Sequence, residues 1–561
     1  MNILKVSHFS VLNRASQVQK LASETFDLAI IGGGITGAGI ALDATARGLK
    51  VCLIEKNDFA SGTSNKSTKL IHGGLRYLKN FEISLVRESG SERAIVHSLA
   101  PHLVTPQKML LPLIKGGTYG KLMTALGLKV YDFLADVKGE DRRKMLDKQE
   151  TLQQEPLLDP SIVIGGGLYA EYSTDDARLT IEILKKANDL GATIINYCEM
   201  TSFNYDGNSK IKSINCIDCN TSSLFEIKAN TFLSATGPWA DTVQQKDYPT
   251  HKKKLHLTKG VHLVFPFEKL PIRQSIYFDV PDGRMVFAIP RGKTTYVGTT
   301  DTDYSANLDR VVATKADAHY FLNAVNNTFK TIHLTIADIE SCWAGLRPLI
   351  REEDKTASEL SRKDEIFISD SGLISIAGGK LTGYRKMAFR ALEAVLKANP
   401  KADELNIKKP RTDTLTLVHP HIRTTEDAQT YQLDIEKQLA VLGLTSNYYA
   451  WYLTSYYGKQ TDIILSKVSD FKSRAIHEKL IRAELWFGVH YEMVNSLNDF
   501  FIRRTGRLYF DIESIHEYKN VVLKDISGYL NWDDARAQKE IEKLNMALKD
   551  ATTFYDTDSI E

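Results

Sequence analysis

Residues 27–56, DLAIIGGGITGAGIALDATARGLKVCLIEK, constrain the fold more than any other stretch of this 561-residue chain. A short apolar run at 28–31 leads into glycines, then a helix-length segment ending near Gly48, then a second apolar run at 51–54 that closes on Glu55. Strand, glycine turn, helix and strand in that order begin a parallel sheet. Gly32-x-Gly34-x-x-Gly37 lies at the strand-to-helix turn. The first glycine permits the tight turn, the second lets backbone approach a pyrophosphate, and the third lets helix and strand pack closely. The helix N-terminus then offers unpaired N–H groups and a positive dipole end to phosphates. The glycine spacing alone is a weak signal. Glu55 strengthens it, because it stands about 20 residues on at the end of the second strand, where a carboxylate can accept both ribose hydroxyls. The pair favours a dinucleotide site over a structural glycine turn, and a carboxylate there disfavours the 2′-phosphate of NADP.

FAD and NAD both fit this pattern. The segment that follows, NDFASGTSNKSTKLIHGGLRYL (57–78), is dense in small hydroxyl residues and glycine. It suits backbone and hydroxyl contacts along an extended cofactor, yet the same composition makes a solvated loop. On these grounds the two cofactors stand even.

Further parts of a parallel sheet follow: helix then strand at 175–197, strand and small-residue turn at 229–241, and strand, glycine turn and helix at 372–398. Between them HLVFPF, RMVFAIPR and KTTYVGTT read as antiparallel strands of a second, inserted sheet. Beyond about Lys409 glycines thin out and helical periodicity takes over, notably in EKLIRAELWFGVHYEMVNSLNDFFIRRTGR. The predicted organisation is a helical or disordered leader (1–26), an α/β Rossmann-like cofactor domain with an interleaved antiparallel substrate sheet (27–409), and an all-α C-terminal domain (410–561).

Composition narrows the function. The 71 Lys+Arg and 69 Asp+Glu leave a net charge of +2, which argues against a nucleic-acid binder. Five cysteines do not make a disulfide framework, and the single C-x-x-C, Cys216 to Cys219, sits in a predicted strand with no second pair nearby. No metal site is expected. No stretch reaches the ~20 apolar residues of a transmembrane helix, and the N-terminus lacks the apolar core of a secretion signal.

GGGITGAGIALDATARGL, STKLIHGGLRYL, APHLV, YSTDDARL, ATGPWAD, KGVHLVFP, VGTTDTDY, GLRPLI and GGKLTGYRKMA occur in this order. Together they closely resemble the FAD-dependent glycerol-3-phosphate dehydrogenases, within the D-amino-acid-oxidase-like flavoproteins. The match runs from about residue 27 to 398 and continues more loosely through AELWFGVHYEMVNSLNDFFIRRT. The resemblance implies bound FAD, oxidation of sn-glycerol 3-phosphate to dihydroxyacetone phosphate, and electron delivery to a membrane quinone. It also implies a site. Gly32, Gly34, Ile35, Thr36 and Gly37 would surround the pyrophosphate, with Glu55 and Lys56 at the adenosine ribose. Thr63, Ser64, Ser67, Lys69 and Leu70 would line the way to the isoalloxazine. Ala235, Thr236 and Gly237 would close over the adenine half, and Gly379, Lys380, Leu381 and Thr382 would meet the pyrimidine end.

A phosphate monoester carries nearly two negative charges, which arginine forks bind bidentately. Arg76, Arg347 and Arg362 match the family's substrate arginines, with Lys380 as a further cation and Tyr77 and Thr382 to orient substrate oxygens. Most arginines make surface ion pairs; Arg347 and Lys380 stand among apolar and glycine residues, which favours a pocket. Arg362 rests on the resemblance alone. Oxidising a secondary alcohol needs a base for the hydroxyl proton, and histidine is the natural one. Of two motif histidines, His262 begins a strand expected to face the flavin and is the preferred base. His72 is read as organising the Ser/Gly loop or the flavin. Arg347 and Lys380 complete the expected catalytic set.

A quinone-reducing enzyme without a spanning helix must lie on the bilayer. The apolar and basic segment 111–144 is a candidate contact, although a core-facing helix fits it equally. The aromatic stretch 445–458 is better explained as helical core than as an interface belt. The expected location is the inner face of the cell membrane, peripherally bound from the cytoplasm, with a homodimer an open option. Two alternatives stand beside the dehydrogenase: an oxidase that passes electrons to oxygen, and a flavin-binding redox sensor without turnover.

Overall fold

The computed structural model of the chain describes residues 9–72, 83–117, 143–250, 254–351, 363–399 and 404–556. Two sheets carry the α/β part. In the first, Thr25–Ile31 lies between Val51–Ile54 and Leu224–Ser234, parallel to both. Thr193–Ile195 and Ile374–Gly378 extend the parallel set on either side, and Asp364–Ile368 closes one edge antiparallel. Leu28 to Ile31 are all buried, with no alternation. That is the signature of a parallel strand covered on both faces. The helix Ile35–Ala46 packs between Asp176–Asp189 and Tyr384–Ala398. Gly39 makes the second contact possible, since a Cβ there would stand 2.8 Å from the Tyr384 ring.

The second sheet runs Leu255–Pro266, Thr294–Gly298, Met285–Arg291 and Ser275–Asp279 as antiparallel neighbours, then continues into Thr105–Ile114 and Val163–Ser173. Ser341–Ile350 pairs along nearly the whole of Leu255–Pro266. The three segments read as antiparallel from sequence all belong to this sheet. Strand alternation divides its faces. Val261, Leu263 and Phe265 pack with the helix Lys315–Thr328, whereas Val264 packs on the opposite face with Trp343, Tyr296 and Leu70.

The described part of the leader is not detached. The helix Arg14–Ser23 buries Leu21, Phe9 stacks on Phe59 at 5.6 Å, and Arg14 reaches Asp218 at 2.6 Å.

The C-terminal region is built of helices from Thr425–Val441 to Asp534–Thr552. The 445–458 stretch forms the helix Asn447–Tyr457 inside this core: Tyr452 and Tyr457 both donate to Glu484, at 2.6 and 3.0 Å. The periodicity of 478–507 does not give one helix. Ile476–Tyr491 stops at Glu492, Met493 turns to φ +56°, and a wide helical turn follows at Asp499–Arg504. Buried charge accounts for the break. Glu492 is drawn to Arg178 (2.7 Å) and Lys185 (3.0 Å), while Arg504 forks onto Asp58 (2.7 and 2.9 Å) beside Arg503.

These pairs fasten the helical body to the cofactor domain. Burial alone would raise the Asp58 carboxyl, but Arg504 and Arg503 hold it down at about 2. Glu492 is likewise held at about 2, by Arg178 and Lys185 against burial. Both lie below the ordinary carboxylate range, so their stabilisation is complete above roughly pH 4 and is lost as pH falls toward about 2. Asp58→Asn removes the carboxylate that Arg504 forks onto and one of the two that Arg503 meets. We expect it to cost about 3–5 kcal/mol in denaturant unfolding at pH 7, and to flatten the acid side of the stability curve.

Candidate functional site

Gly32, Gly34, Ile35, Thr36, Glu55, Lys56, Thr63, Ser64, Ala235, Thr236, Gly237, Gly379, Lys380 and Leu381 line one cleft of about 1280 Å³, measured to its open mouth. It runs along the ends of the central parallel strands, where open α/β sheets bind ligands. Gly32 has φ +113°, and a Cβ there would lie 2.5 Å from the Ala235 carbonyl oxygen. A Cβ on Gly37 would lie 2.0 Å from the Gly32 carbonyl oxygen, so this glycine closes helix against turn without lining the cleft itself. The Ile35 N–H at the helix start is taken by Ser64 Oγ at 2.9 Å, which ties the Ser/Gly segment to the glycine turn.

Glu55 accepts from the Gly33 N–H at 2.7 Å and the Asn57 N–H at 2.9 Å. Burial nevertheless holds its carboxyl above the usual range. Each oxygen keeps a second lone pair, so the carboxylate is aimed by the backbone and can still receive ribose hydroxyls. Lys56 lies over the Trp239 ring at 4.6 Å. Cys198, Glu199 and Met200 add a wall that the sequence did not reveal, because it comes from a strand without any motif, and Trp239 of ATGPWAD joins them.

Three expected lining residues are used differently. Lys69 sends its ammonium to Asp176 at 2.5 Å and Asp175 at 3.4 Å, in the interior. Ser67 bonds the Lys69 N–H and, through its own N–H, Asp176, while Leu70 packs into the core. Their side chains hold the segment in place and do not line the cleft. A lysine inside a cofactor motif reads as a ligand contact until its partners, here in YSTDDARL, are seen in space. Thr63 lines the cleft and also donates to the Leu346 carbonyl at 2.7 Å, joining the two sheets.

The substrate sheet carries the remaining candidates on one face. His262 lies over Gly298, where a Cβ would stand 2.2 Å from its ring, and Arg347 lies over Gly260, where a Cβ would stand 2.4 Å from its guanidinium. Glycine in each neighbouring strand makes room for the functional side chain. His262 is fully buried, stacked on Trp343 with centroids 4.6 Å apart, and its Nε2 meets Thr68 Oγ1 at 3.0 Å. Burial first, then Arg347 and Lys69, hold its pKa well below the ordinary value. The ring is therefore neutral at physiological pH, with Nδ1 bonded to no described group. Arg347 is aimed by the Thr300 carbonyl (2.7 Å), Thr299 Oγ1 (2.8 Å) and Asp301 (3.1 Å). Lys380 lines the cleft, and the buried Thr382 donates to the His72 carbonyl at 3.3 Å. Arg76, Tyr77 and Arg362 lie outside the described residues. Thr68, Trp343 and Asp301 were missed as site residues, although each stands in or beside a motif string.

A glycine cradle at a sheet's carboxyl end, a carboxylate one strand on and a second sheet over the cleft define a dinucleotide-binding oxidoreductase. The comparisons with known proteins agree. Residues 27–385 match the family described as FAD dependent oxidoreductase, and residues 422–537 match the C-terminal domain of alpha-glycerophosphate oxidase. A Bacillus subtilis protein called aerobic glycerol-3-phosphate dehydrogenase is 46% identical over 546 residues, covering 97% of this chain and 98% of its own length. The structure of the glycerol-3-phosphate dehydrogenase from Bacillus halodurans complexed with FAD is 40% identical, with a TM-score of 0.81 over 97% of this chain and 99% of that one. The L-alpha-glycerophosphate oxidase of Mycoplasma pneumoniae shares the fold at 20% identity, with a TM-score of 0.53 over 70% of this chain and 98% of that one. The chain belongs to the FAD-dependent oxidoreductases and, within them, to the family of the aerobic glycerol-3-phosphate dehydrogenases.

Its cofactor is FAD, and the cleft fits it. The Gly32 turn admits no side chain, and the cleft continues past the adenosine-side residues to Gly379 and Lys380 beneath the second sheet.

Proposed function

We propose that this protein oxidises sn-glycerol 3-phosphate to dihydroxyacetone phosphate and delivers the electrons to a quinone, working at a lipid surface. The observation that carries the reading is the pairing of a neutral, buried His262 with an oriented Arg347 on one sheet face. The 46% identical relative's name supports the substrate. Arg347, together with Lys380, binds the phosphate, and His262 takes the hydroxyl proton as C2 gives up its hydride. Bound FAD supplies the two-electron acceptor. Neutrality suits the base, since an imidazolium has no lone pair to offer. Thr68 and Trp343 fix its ring. Gly32, Gly34, Thr36 and Glu55 hold the nucleotide half, and Thr63 and Ser64 brace the segment between the sheets.

Among the described residues no helix is long and apolar enough to cross a bilayer. Of the segment 111–144 read as a bilayer contact, Leu111 and Leu113 are buried in the second sheet, and 118–142, on which peripheral quinone access rests, lie outside the described residues. The acceptor is tested by turnover of the FAD-loaded protein with a soluble quinone and with oxygen. We expect one quinone reduced per glycerol 3-phosphate consumed and little peroxide. One peroxide per turnover, with the quinone left oxidised, would instead assign an oxidase.

A further inference from the structure

A second cavity, of about 1000 Å³ including its mouth, opens where the 57–66 segment, the strand Ser341–Ile350 and the C-terminal helices meet. Lys66, Arg503 and Lys543 line it from three separate parts of the chain. Its two carboxylates are already taken. Asp58 is held by Arg503 and Arg504, and Asp309 by Lys56 at 2.8 Å. Lys543 has Glu540 at 2.9 Å. Lys66 has no such partner: among the described residues its ammonium makes no ion pair or hydrogen bond, and its stem is laid over Gly345, where a Cβ would meet the Lys66 Cβ at 2.4 Å. Arg503 uses Nε and one terminal nitrogen on Asp58 and Asp499, which leaves Nη1 to the cavity. Two further wall groups are buried without partners, the Trp239 indole N–H and the Asn498 side-chain oxygen. The amide of Asn498 can turn to present its NH₂ instead.

We propose that this cavity is a second anion site, which takes a phosphate dianion, free or as a monoester, between Lys66 and Arg503. Lys66 is a half-buried cation without a counter-charge, and a donor set of ammonium, guanidinium, indole and amide N–H groups is the complement of phosphate oxygens. Burial, and then the nearby Arg503, hold the Lys66 ammonium down at about 8, while the more distant Asp550 opposes them; a bound dianion supplies the missing charge. The site is distinct from the substrate face. It shares residues 57 and 61–63 and Trp239 with the FAD cleft, so its occupancy is placed to influence cofactor retention.

The inference does not depend on the proposed reaction. Calorimetric titration of the FAD-loaded full chain with inorganic phosphate tests it, in wild type and in an Arg347→Gln background that weakens the substrate face. We expect a saturable site to persist in Arg347→Gln, to weaken at least tenfold when Lys66→Gln is added, and to survive in Lys66→Arg. Bound-flavin absorbance shows that each variant is folded. Between pH 7 and 9, where a phosphate monoester is already a dianion, the affinity for glycerol 2-phosphate should fall about tenfold as Lys66 loses its proton. The other charged groups around Lys66 are Asp58, Asp309, Asp550, Arg503 and Lys543. Against burial, Asp58 is held low by Arg504 and Arg503, and Arg503 is held high by Asp58 and Asp499, so neither of these two changes charge in that interval. A parallel titration with glycerol 2-phosphate separates the sources: the tighter of the two ligands identifies free ion or ester. Absence of any saturable site in Arg347→Gln, or binding unchanged by Lys66→Gln, would overturn the proposal.

Discussion

Arg347→Leu should raise KM for sn-glycerol 3-phosphate about 100-fold, because a charge-assisted bidentate contact is worth roughly 3 kcal/mol. The structure says why this residue and not one of the many other cations. Its fork is held by Thr300, Thr299 and Asp301 and laid flat over Gly260, whose lack of a side chain makes room for it. Arg347→Lys keeps the charge but not the planar fork, so about a tenfold increase is expected. Flavin content should be unchanged in both. A KM within twofold of wild type in Arg347→Leu would show that the phosphate is held elsewhere. Lys380 would then be the first candidate, since it lines the FAD cleft itself.

His262→Gln should lower kcat by about 10²–10⁴ while leaving KM nearly constant, the ordinary range for removing a general base. Glutamine retains a group that can bond Thr68 but cannot accept the proton. The pH profile carries a second signature. Burial, Arg347 and Lys69 depress His262 well below the ordinary imidazole value. Its protonation therefore limits turnover only at acid pH, and wild-type activity should show no inflection near pH 6.5. The variant should lose whatever acid limb the wild type has. Unaltered kcat in His262→Gln would pass the role of base to His72, whose carbonyl accepts from Thr382 and whose ring is tilted against Phe287.

Local signals made the first of these sites legible before any coordinates. Gly32, Gly37 and Glu55 were legible together because the turn, the helix contact and the carboxylate beside them are all set within one strand–helix–strand unit. The antiparallel character of the 262–298 strands was legible for the same reason. What could not be read depends on residues distant in sequence. Lys69 looks like a cofactor contact until Asp175 and Asp176, more than a hundred positions later, are placed against it. The 478–507 periodicity announces helix but not where it breaks, since nothing nearby shows that Glu492, Arg503 and Arg504 are claimed by Arg178 and Asp58. Asp301 behind Arg347 and Trp343 beneath His262 belong to the same category. Trp343 is placed by the pairing of its strand with that of His262, and Asp301 by the turn after Thr294–Gly298, and no single segment encodes either placement.

The central claim is that FAD held in the first cleft is reduced by sn-glycerol 3-phosphate bound at the Arg347–His262 face. Anaerobic mixing of the purified, FAD-loaded protein with sn-glycerol 3-phosphate tests it most directly. The account predicts that the flavin's visible absorption is lost within a single turnover, in wild type but far more slowly in His262→Gln. Flavin that stays oxidised and yellow in the wild-type protein at saturating substrate would contradict it.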